Sequence, residues 1–382
     1  MGLRIERSLK LTGLTRHQYY YKPKKIDNRG RPKSKTTLKK EGDVEKVYSN
    51  ESVVNVISNR QKDPDLQSGY KRMCSALMLM GFIINPKKVY RLMKENQLLL
   101  EKPKVSSKEY ARYRILTPTE PLTSFEMDIK QVYCTEKRRY AYILTVIDTF
   151  TRVALFWEVR YNMKHQQVTK AWQHIIEHII QPYTLKSNEI HIEVRNDNGP
   201  QFSAKKLRFF FEENGLNHVF THPYTPQENG HIESFHSILS KSLEQYSFWS
   251  IEDLEKRLDT FYHKYNNERI HGSTAQLTPI LFWRLWNDGK IIRKELSKRK
   301  AKFTLKGTHQ QLSGNTSQRA APCLNLDELN VHSNLKAQKV EELTIKNELF
   351  TLKNNHRYKT SSSIVPCQSK NMAEFSILAT AN

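Results

Sequence analysis

Acidic side chains are in short supply in this 382-residue chain: 39 Asp and Glu stand against 62 Lys and Arg, a formal charge of +23 at pH 7. An excess of that sign and size points to a polyanionic partner, with nucleic acid the first candidate. Cysteine is scarcer still. Cys74, Cys134, Cys323 and Cys367 lie far apart with no CxxC pair, which excludes a disulfide scaffold and a zinc ribbon and fits a reducing cytosol. No apolar run reaches the roughly eighteen residues of a membrane span. The residues after Met1 alternate apolar and basic side chains where an export signal would carry an apolar stretch. A soluble, cytoplasmic, nucleoid-associated protein without a membrane partner is therefore expected. No internal repeat is evident.

What is present is organised in blocks. Residues 1–40 hold thirteen Lys and Arg against Glu6 and Asp27, and a second basic run lies between Lys290 and Lys306. Residues 3–21 read as two short helices broken at Gly13, with Thr15 as N-cap of the second. Arg29-Gly30-Arg31-Pro32 in the linker that follows has the form of a minor-groove hook, although four residues in an open linker are more often simply solvated. From Tyr70, apolar residues fall at helical spacing to Met80. Gly81 stops that helix, and Asn85-Pro86 starts another that buries Val89, Leu92 and Met93 while presenting Lys87, Lys88 and Arg91. Such a pair describes a helix-turn-helix, with those three basic residues as candidate DNA contacts. The expected organisation is a basic N-terminal segment (1–40), a small all-α helix-turn-helix region (41–100), a linker (101–120), an α/β domain (121–285), and a basic segment with a poorly structured tail (286–382).

Within residues 121–285 the periodicity becomes that of strands. Ser124 to Tyr133, Tyr140 to Ile147 and Val153 to Val159 form a meander. Helices then alternate with strands at Ile190 to Val194 and His218 to Phe220, and two long helices follow near Gln227 to Tyr246 and Ile251 to Asn267. This order indicates an α/β layer with a mixed sheet.

Three carboxylates stand out in it. Asp128 interrupts the alternation of Phe125, Met127 and Ile129, so it projects from the opposite face of its strand. Asp197 follows a strand directly and precedes the tight Asn198-Gly199-Pro200 turn, at the edge of the sheet where α/β ligands bind. Thirty-five residues separate it from Glu233, on a helix whose apolar stripe is Ile232, Phe235, Leu239 and Leu243. Asn229, Glu233 and His236 share another face of that helix, where Asn229 and His236 could orient water or contact DNA. Taken singly, an Asp after a strand is usually a turn residue and a Glu on a helix usually a solvated one. Three acids that converge are different: they repel one another until cations join them, and a pair of divalent ions clamped by carboxylates is what phosphodiester chemistry needs.

The flanking residues decide between these readings. MDI at 127–129, VIDTFTR at 146–152, DNGPQF at 197–202, PYTPQENGHIESFH at 223–236 and YNNERIHGSTAQLTP at 265–279 resemble the retroviral-integrase-like catalytic domains. They are most similar to the second-frame transposases of the IS-three family of bacterial insertion sequences, over roughly residues 66–285. Phe125 stands where that family usually has Trp, and Lys130 where Thr is common. The resemblance implies an RNase H-like fold, with Asp128, Asp197 and Glu233 as catalytic residues and ligands of two Mg²⁺ or Mn²⁺ ions. It also implies cleavage of DNA at mobile-element ends and joining of the 3′-hydroxyl to target DNA. The partners would be terminal repeats and target DNA, a homo-oligomer on DNA, and the product of an upstream frame as fusion partner. Two rivals are an RNase H-like nuclease without strand joining and a non-catalytic DNA-binding regulator derived from a transposase. Asp148 in VIDTFTR is read as a turn residue, and His174 with His178 as helix neighbours lacking a third zinc ligand.

Overall fold

The computed structural model describes residues 5–22, 33–42, 44–101, 118–184, 191–221, 229–297 and 300–312. At the start, α1 (Ile5–Thr12) and α2 (Arg16–Tyr20) are separated at Gly13, which adopts φ +66°. Thr15 caps α2 reciprocally: its hydroxyl accepts the Gln18 N–H at 3.2 Å, and the Gln18 side chain accepts the Thr15 N–H at 2.9 Å. The Arg29 to Pro32 hook lies outside the described residues.

Next come β1 (Thr36–Glu41), β2 (Val44–Ser49), α3 (Asn50–Lys62), α4 (Tyr70–Leu79), β3 (Phe82–Ile83) and α5 (Pro86–Glu95). The expected all-α region is thus α/β, because β1 and β2 pair as an antiparallel hairpin and β3 adds to β1 on the other side. The cause is local: Thr36, Thr37, Val44 and Val47 are β-branched and favour strand, and Gly42, at φ +63°, supplies the tight turn between them. The helix pair itself is present as read, and its turn meets the sheet. Gly81 sits at φ +94°, and a Cβ there would lie 2.4 Å from the Lys40 carbonyl oxygen. Only glycine lets α4 end against β1. Asn85 accepts the Lys88 N–H at 2.8 Å, with Pro86 opening α5. Val53, Ile57, Met73, Leu77, Val89, Leu92 and Met93 form the buried centre of this unit.

The larger unit is built on a five-stranded sheet of β4 (Ser124–Cys134), β5 (Arg139–Asp148), β6 (Ala154–Arg160), β7 (Ile192–Asn196) and β8 (Leu216–Phe220). Its order is β6-β5-β4-β7-β8, antiparallel through the meander and parallel at β4-β7 and β7-β8. Between the strands run α6 (His165–Ile175), prolonged through a π-helical turn at Ile176–Ile180 into α7 (Gln181–Thr184), then α8 (Pro200–Ser203) and α9 (Lys205–Glu213). After β8 come α10 (Gly230–Leu243), α11 (Ile251–Asn267) and α12 (Pro279–Asn287). The strand alternation divides the core in two. Phe125 and Met127 pack on one face with Trp172 of α6 and Phe211 of α9. On the other, Ile143, Ile147 and Trp157 meet Ile232, Phe235 and Leu239 of α10 and Leu258 and Phe261 of α11. Each such side chain taken fully out of water contributes roughly 1.5–3 kcal/mol, which pins strand register. The mixed sheet flanked by helices is the architecture read from the sequence.

Beyond α12 the basic segment, where the hydrophobic pattern of the sequence weakens, is folded. Strands β9 (Ile291–Ser297) and β10 (Lys300–Leu305) form an antiparallel hairpin, followed by a 3₁₀ turn at His309–Leu312. Ile291, Phe303, Leu305 and Leu312 pack with Phe150, Phe282, Trp286 and Leu79, joining the hairpin to the sheet domain and to α4. The density of Lys and Arg between these apolar residues conceals their period of two. Residues 313–382, including the amphipathic stretch near Leu343 to Leu352, lie outside the described residues. Among the described helices none is long and apolar enough to cross a membrane.

Candidate active site

The pleat of β4 sends Phe125 and Met127 into the α6 core and turns Glu126 and Asp128 towards α10. Asp128 accepts the N–H of Ile129 at 2.7 Å through Oδ1, and its Oδ2 lies 3.2 Å from Nδ1 of His236, one turn beyond Glu233 on α10. Asp197 stands one residue past β7 and accepts the Gly199 N–H at 3.0 Å. Its main chain is steadied by Asn196, whose amide donates to the Asp197 carbonyl at 2.6 Å while its Oδ1 lies 2.6 Å from Nε2 of His218 on β8.

The electrostatics connect the three acids. Burial, and then the charge of Asp128, push the Asp197 carboxyl above its ordinary range, against the opposing Gly199 N–H. Burial and Asp128 likewise raise Glu233, with His236 pulling the other way. Asp128 therefore acts on both partners, although the residues come from a strand, a loop and a helix. Among the described residues none of the three is ion-paired with a lysine or arginine, and His236 is the paired side chain of Asp128. The donor set, hard carboxylate oxygens without a neutralising base, suits Mg²⁺ or Mn²⁺. As they stand, no three His, Cys, Asp or Glu side chains among the described residues are grouped closely enough to hold an ion.

Asp148 has a different environment. It is fully buried and accepts the N–H and hydroxyl of Thr151 at 2.8 and 2.5 Å and the N–H groups of Phe150 and Leu122 at 3.4 and 3.3 Å. Those bonds organise the turn between β5 and β6.

Of the candidate DNA contacts, Lys87 is exposed. Lys88 is occupied within the chain: its ammonium donates to the Thr36 carbonyl at 2.5 Å and the Thr37 hydroxyl at 2.7 Å. Arg91 donates to the Ser34 carbonyl at 3.1 Å, so both residues fasten the approach to β1 onto α5. Asn229 is buried at the start of α10, makes no side-chain cap, and its Oδ1 has no partner within the described structure.

Two features escaped the sequence reading. Glu126 is 1% exposed, and its Oε2 accepts the His231 N–H at 3.0 Å and the Ile232 N–H at 2.8 Å, in the first turn of α10. Burial outweighs those bonds and the nearby Arg152 and Arg195 and pushes this carboxyl up to about 7. Its signal was available, since Glu126 and Asp128 are acids at a spacing of two on one strand. The second feature is a buried network around Asp65, which has no local signature.

Residues 118–226 match the family model described as Integrase core domain, and residues 214–279 match a second model of the same description. The chain is 26% identical over 216 residues to an uncharacterised 39.2 kDa protein of insertion element IS476 from Xanthomonas euvesicatoria, covering 56% of this chain and 60% of that one. It is 24% identical over 216 residues to an uncharacterised 31.7 kDa protein of insertion element IS407 from Burkholderia multivorans, covering 56% and 74%. Among solved structures, the HTLV-2 integrase catalytic core domain in complex with magnesium aligns at 16% identity over 42% of this chain and 96% of that one, with a TM-score of 0.31. The matched segment thus spans only part of the IS476 protein. From residue 118 to residue 279 the chain matches integrase core models, and it is similar to proteins of insertion elements.

Proposed function

We propose that this protein is a DDE transposase of the second-frame IS-three type, in which Asp128, Asp197 and Glu233 hold two Mg²⁺ or Mn²⁺ ions. It cleaves DNA at the ends of a mobile element and joins the freed 3′-hydroxyl to target DNA. The observation that supports this reading is that Asp128, 3.2 Å from His236 one turn beyond Glu233, raises both Asp197 and Glu233, with none of the three ion-paired to Lys or Arg among the described residues. When bound, divalent ions supply activation of the attacking oxygen and stabilisation of the leaving one in an in-line displacement. The chain's residues do the rest. Asp128 projects from a sheet core that fixes its backbone, Asp197 is held by the Gly199 N–H and the Asn196 bridge, and Glu233 rides on a helix packed against the same strands. His236 keeps Asp128 oriented towards α10.

In this reading the N-terminal basic segment and the α4–α5 pair hold the element ends. Lys87 faces solvent there, and Arg293, Lys294, Lys302 and Lys306 of the β9–β10 hairpin add positive charge beside the core domain. The protein works in the cytoplasm on nucleoid DNA, as a homo-oligomer with its upstream-frame product as partner. The experiment is strand transfer of a labelled element end in Mg²⁺ or Mn²⁺, beside a DNA-binding measurement. Asp128→Asn, Asp197→Asn and Glu233→Gln each abolish cleavage and joining while binding persists. Near wild-type joining by any one of them would overturn the assignment, and hydrolysis of RNA:DNA hybrids without joining would favour a nuclease.

A further inference from the structure

We propose that Glu126 is a positioning residue for the reaction, the tie that sets the distance between the strand bearing Asp128 and the helix bearing Glu233. The inference rests on the metal-site reading above. Its foundation is a capping arrangement. A helix begins with N–H groups that have no partner of their own, and the N-cap side chain usually supplies one. On α10 the N-cap, Asn229, supplies none. The acceptor comes instead from another element, as Glu126 of β4 takes the His231 and Ile232 N–H groups on one oxygen, at 3.0 and 2.8 Å. A carboxylate at a helix N-terminus is also favoured by the helix dipole.

The placement gives the cap its consequence. Glu126 lies two residues before Asp128, on the same face of β4, and its two donors immediately precede Glu233. One side chain therefore fixes the backbone of two of the three proposed ligands relative to each other. Because it is 1% exposed, water cannot take over the bonds. Residues behind metal ligands generally control affinity by orienting them. Here the orientation is that of a whole helix.

The test uses the full chain and Mn²⁺ alone, read as the metal-induced rise in melting temperature, together with kcat and KM for strand transfer. Glu126→Ala is expected to weaken Mn²⁺ binding roughly ten- to a hundredfold and to lower kcat with KM for the DNA end unchanged. Glu126→Gln, whose amide oxygen still accepts both N–H groups, recovers most of the loss. Glu126→Asp keeps the carboxyl group but shortens the tie, weakens Mn²⁺ binding severalfold, and decides the matter if the alanine variant does not fold. Wild-type Mn²⁺ affinity in Glu126→Ala or Glu126→Asp, or a Gln variant as impaired as Ala, would overturn the proposal. Asp128→Asn and Glu233→Gln are measured alongside. If they keep the Mn²⁺ response, the metal-site reading itself fails; if they lose it while Glu126→Ala and Glu126→Asp keep it, only the tie fails.

Discussion

Ser242 donates its hydroxyl to Oδ1 of Asp65 across 2.6 Å, joining the last turn of α10 to the loop that follows α3. Arg257 of α11 grips the same carboxylate through both terminal nitrogens, at 2.6 and 2.9 Å, and Lys264 bonds the neighbouring Asp63 at 2.6 Å. Arg269 donates to the Asp65 carbonyl, and Arg60 to that of Glu268 at 3.1 Å. The smaller unit is thereby docked on the back of the helix that carries Glu233, whose two ends are held by Glu126 and by Asp65.

Removing that docking carboxylate should be costly. Asp65 is 1% exposed, so Asp65→Ala strands the Arg257 guanidinium in a largely buried site and should lower stability by about 3–5 kcal/mol. Lys33→Ala, which breaks a pair exposed by 75% and 47% with Glu95, should cost no more than about 1 kcal/mol. Urea unfolding of the two variants, compared at one pH, checks the contrast.

Asp148 and the three proposed metal ligands separate by what they lose. Asp148→Asn turns an amide NH₂ towards donors that need an acceptor, at a cost of roughly 2–3 kcal/mol. Strand transfer per folded molecule should persist in it. A folded Asp148→Asn protein devoid of joining activity would place that residue in the chemistry instead of the turn.

The β9–β10 hairpin should behave as part of the fold. Phe303 contacts Phe150, Phe282 and Trp286 with ring centroids 5.2, 5.1 and 6.2 Å apart. Phe303→Ala should therefore cost about 2–4 kcal/mol. A chain ending at residue 312 should melt in one transition near that of the full protein, and one ending at residue 290 should melt well below it. Equal melting of the two truncations would show the hairpin to be dispensable.

His271 should make the protein sensitive to acid. Burial first, then the guanidiniums of Arg269, Arg152 and Arg72, hold its imidazole down at about 3. The unfolded chain takes up a proton near pH 6.5 and the folded one does not, so this contribution is present above pH 6.5 and is lost as pH falls towards 3. His271→Gln should flatten stability against pH around pH 5 by roughly 1.4 kcal/mol per pH unit, the value of one proton. The remaining slope belongs in part to His231, also held at about 3, and to His174 and His218, both at about 4. Denaturant midpoints across pH 4 to 7 measure it.

Local chemistry determined a good deal of this protein. The alternation of Phe125, Met127 and Asp128 states which side of β4 each residue takes, because the pleat has a period of two. Gly81 and Asn85-Pro86 mark where one helix stops and the next begins, since their backbone preferences act within a few residues. The integrase motifs bracket the candidate acids for the same reason: each is a short run whose turn chemistry is self-contained.

Tertiary structure decided the pairings between distant groups. Which N–H groups the buried Glu126 meets lies 105 and 106 residues away, and the hydroxyl that Asp65 receives lies 177 residues away. No periodicity encodes those distances. The same holds for Lys88 and Arg91, which read as a free basic face until β1 folds back across α5 and takes their hydrogen bonds. A side chain's type announces that it needs a partner, whereas the partner is settled only when loops close and the core excludes water around them.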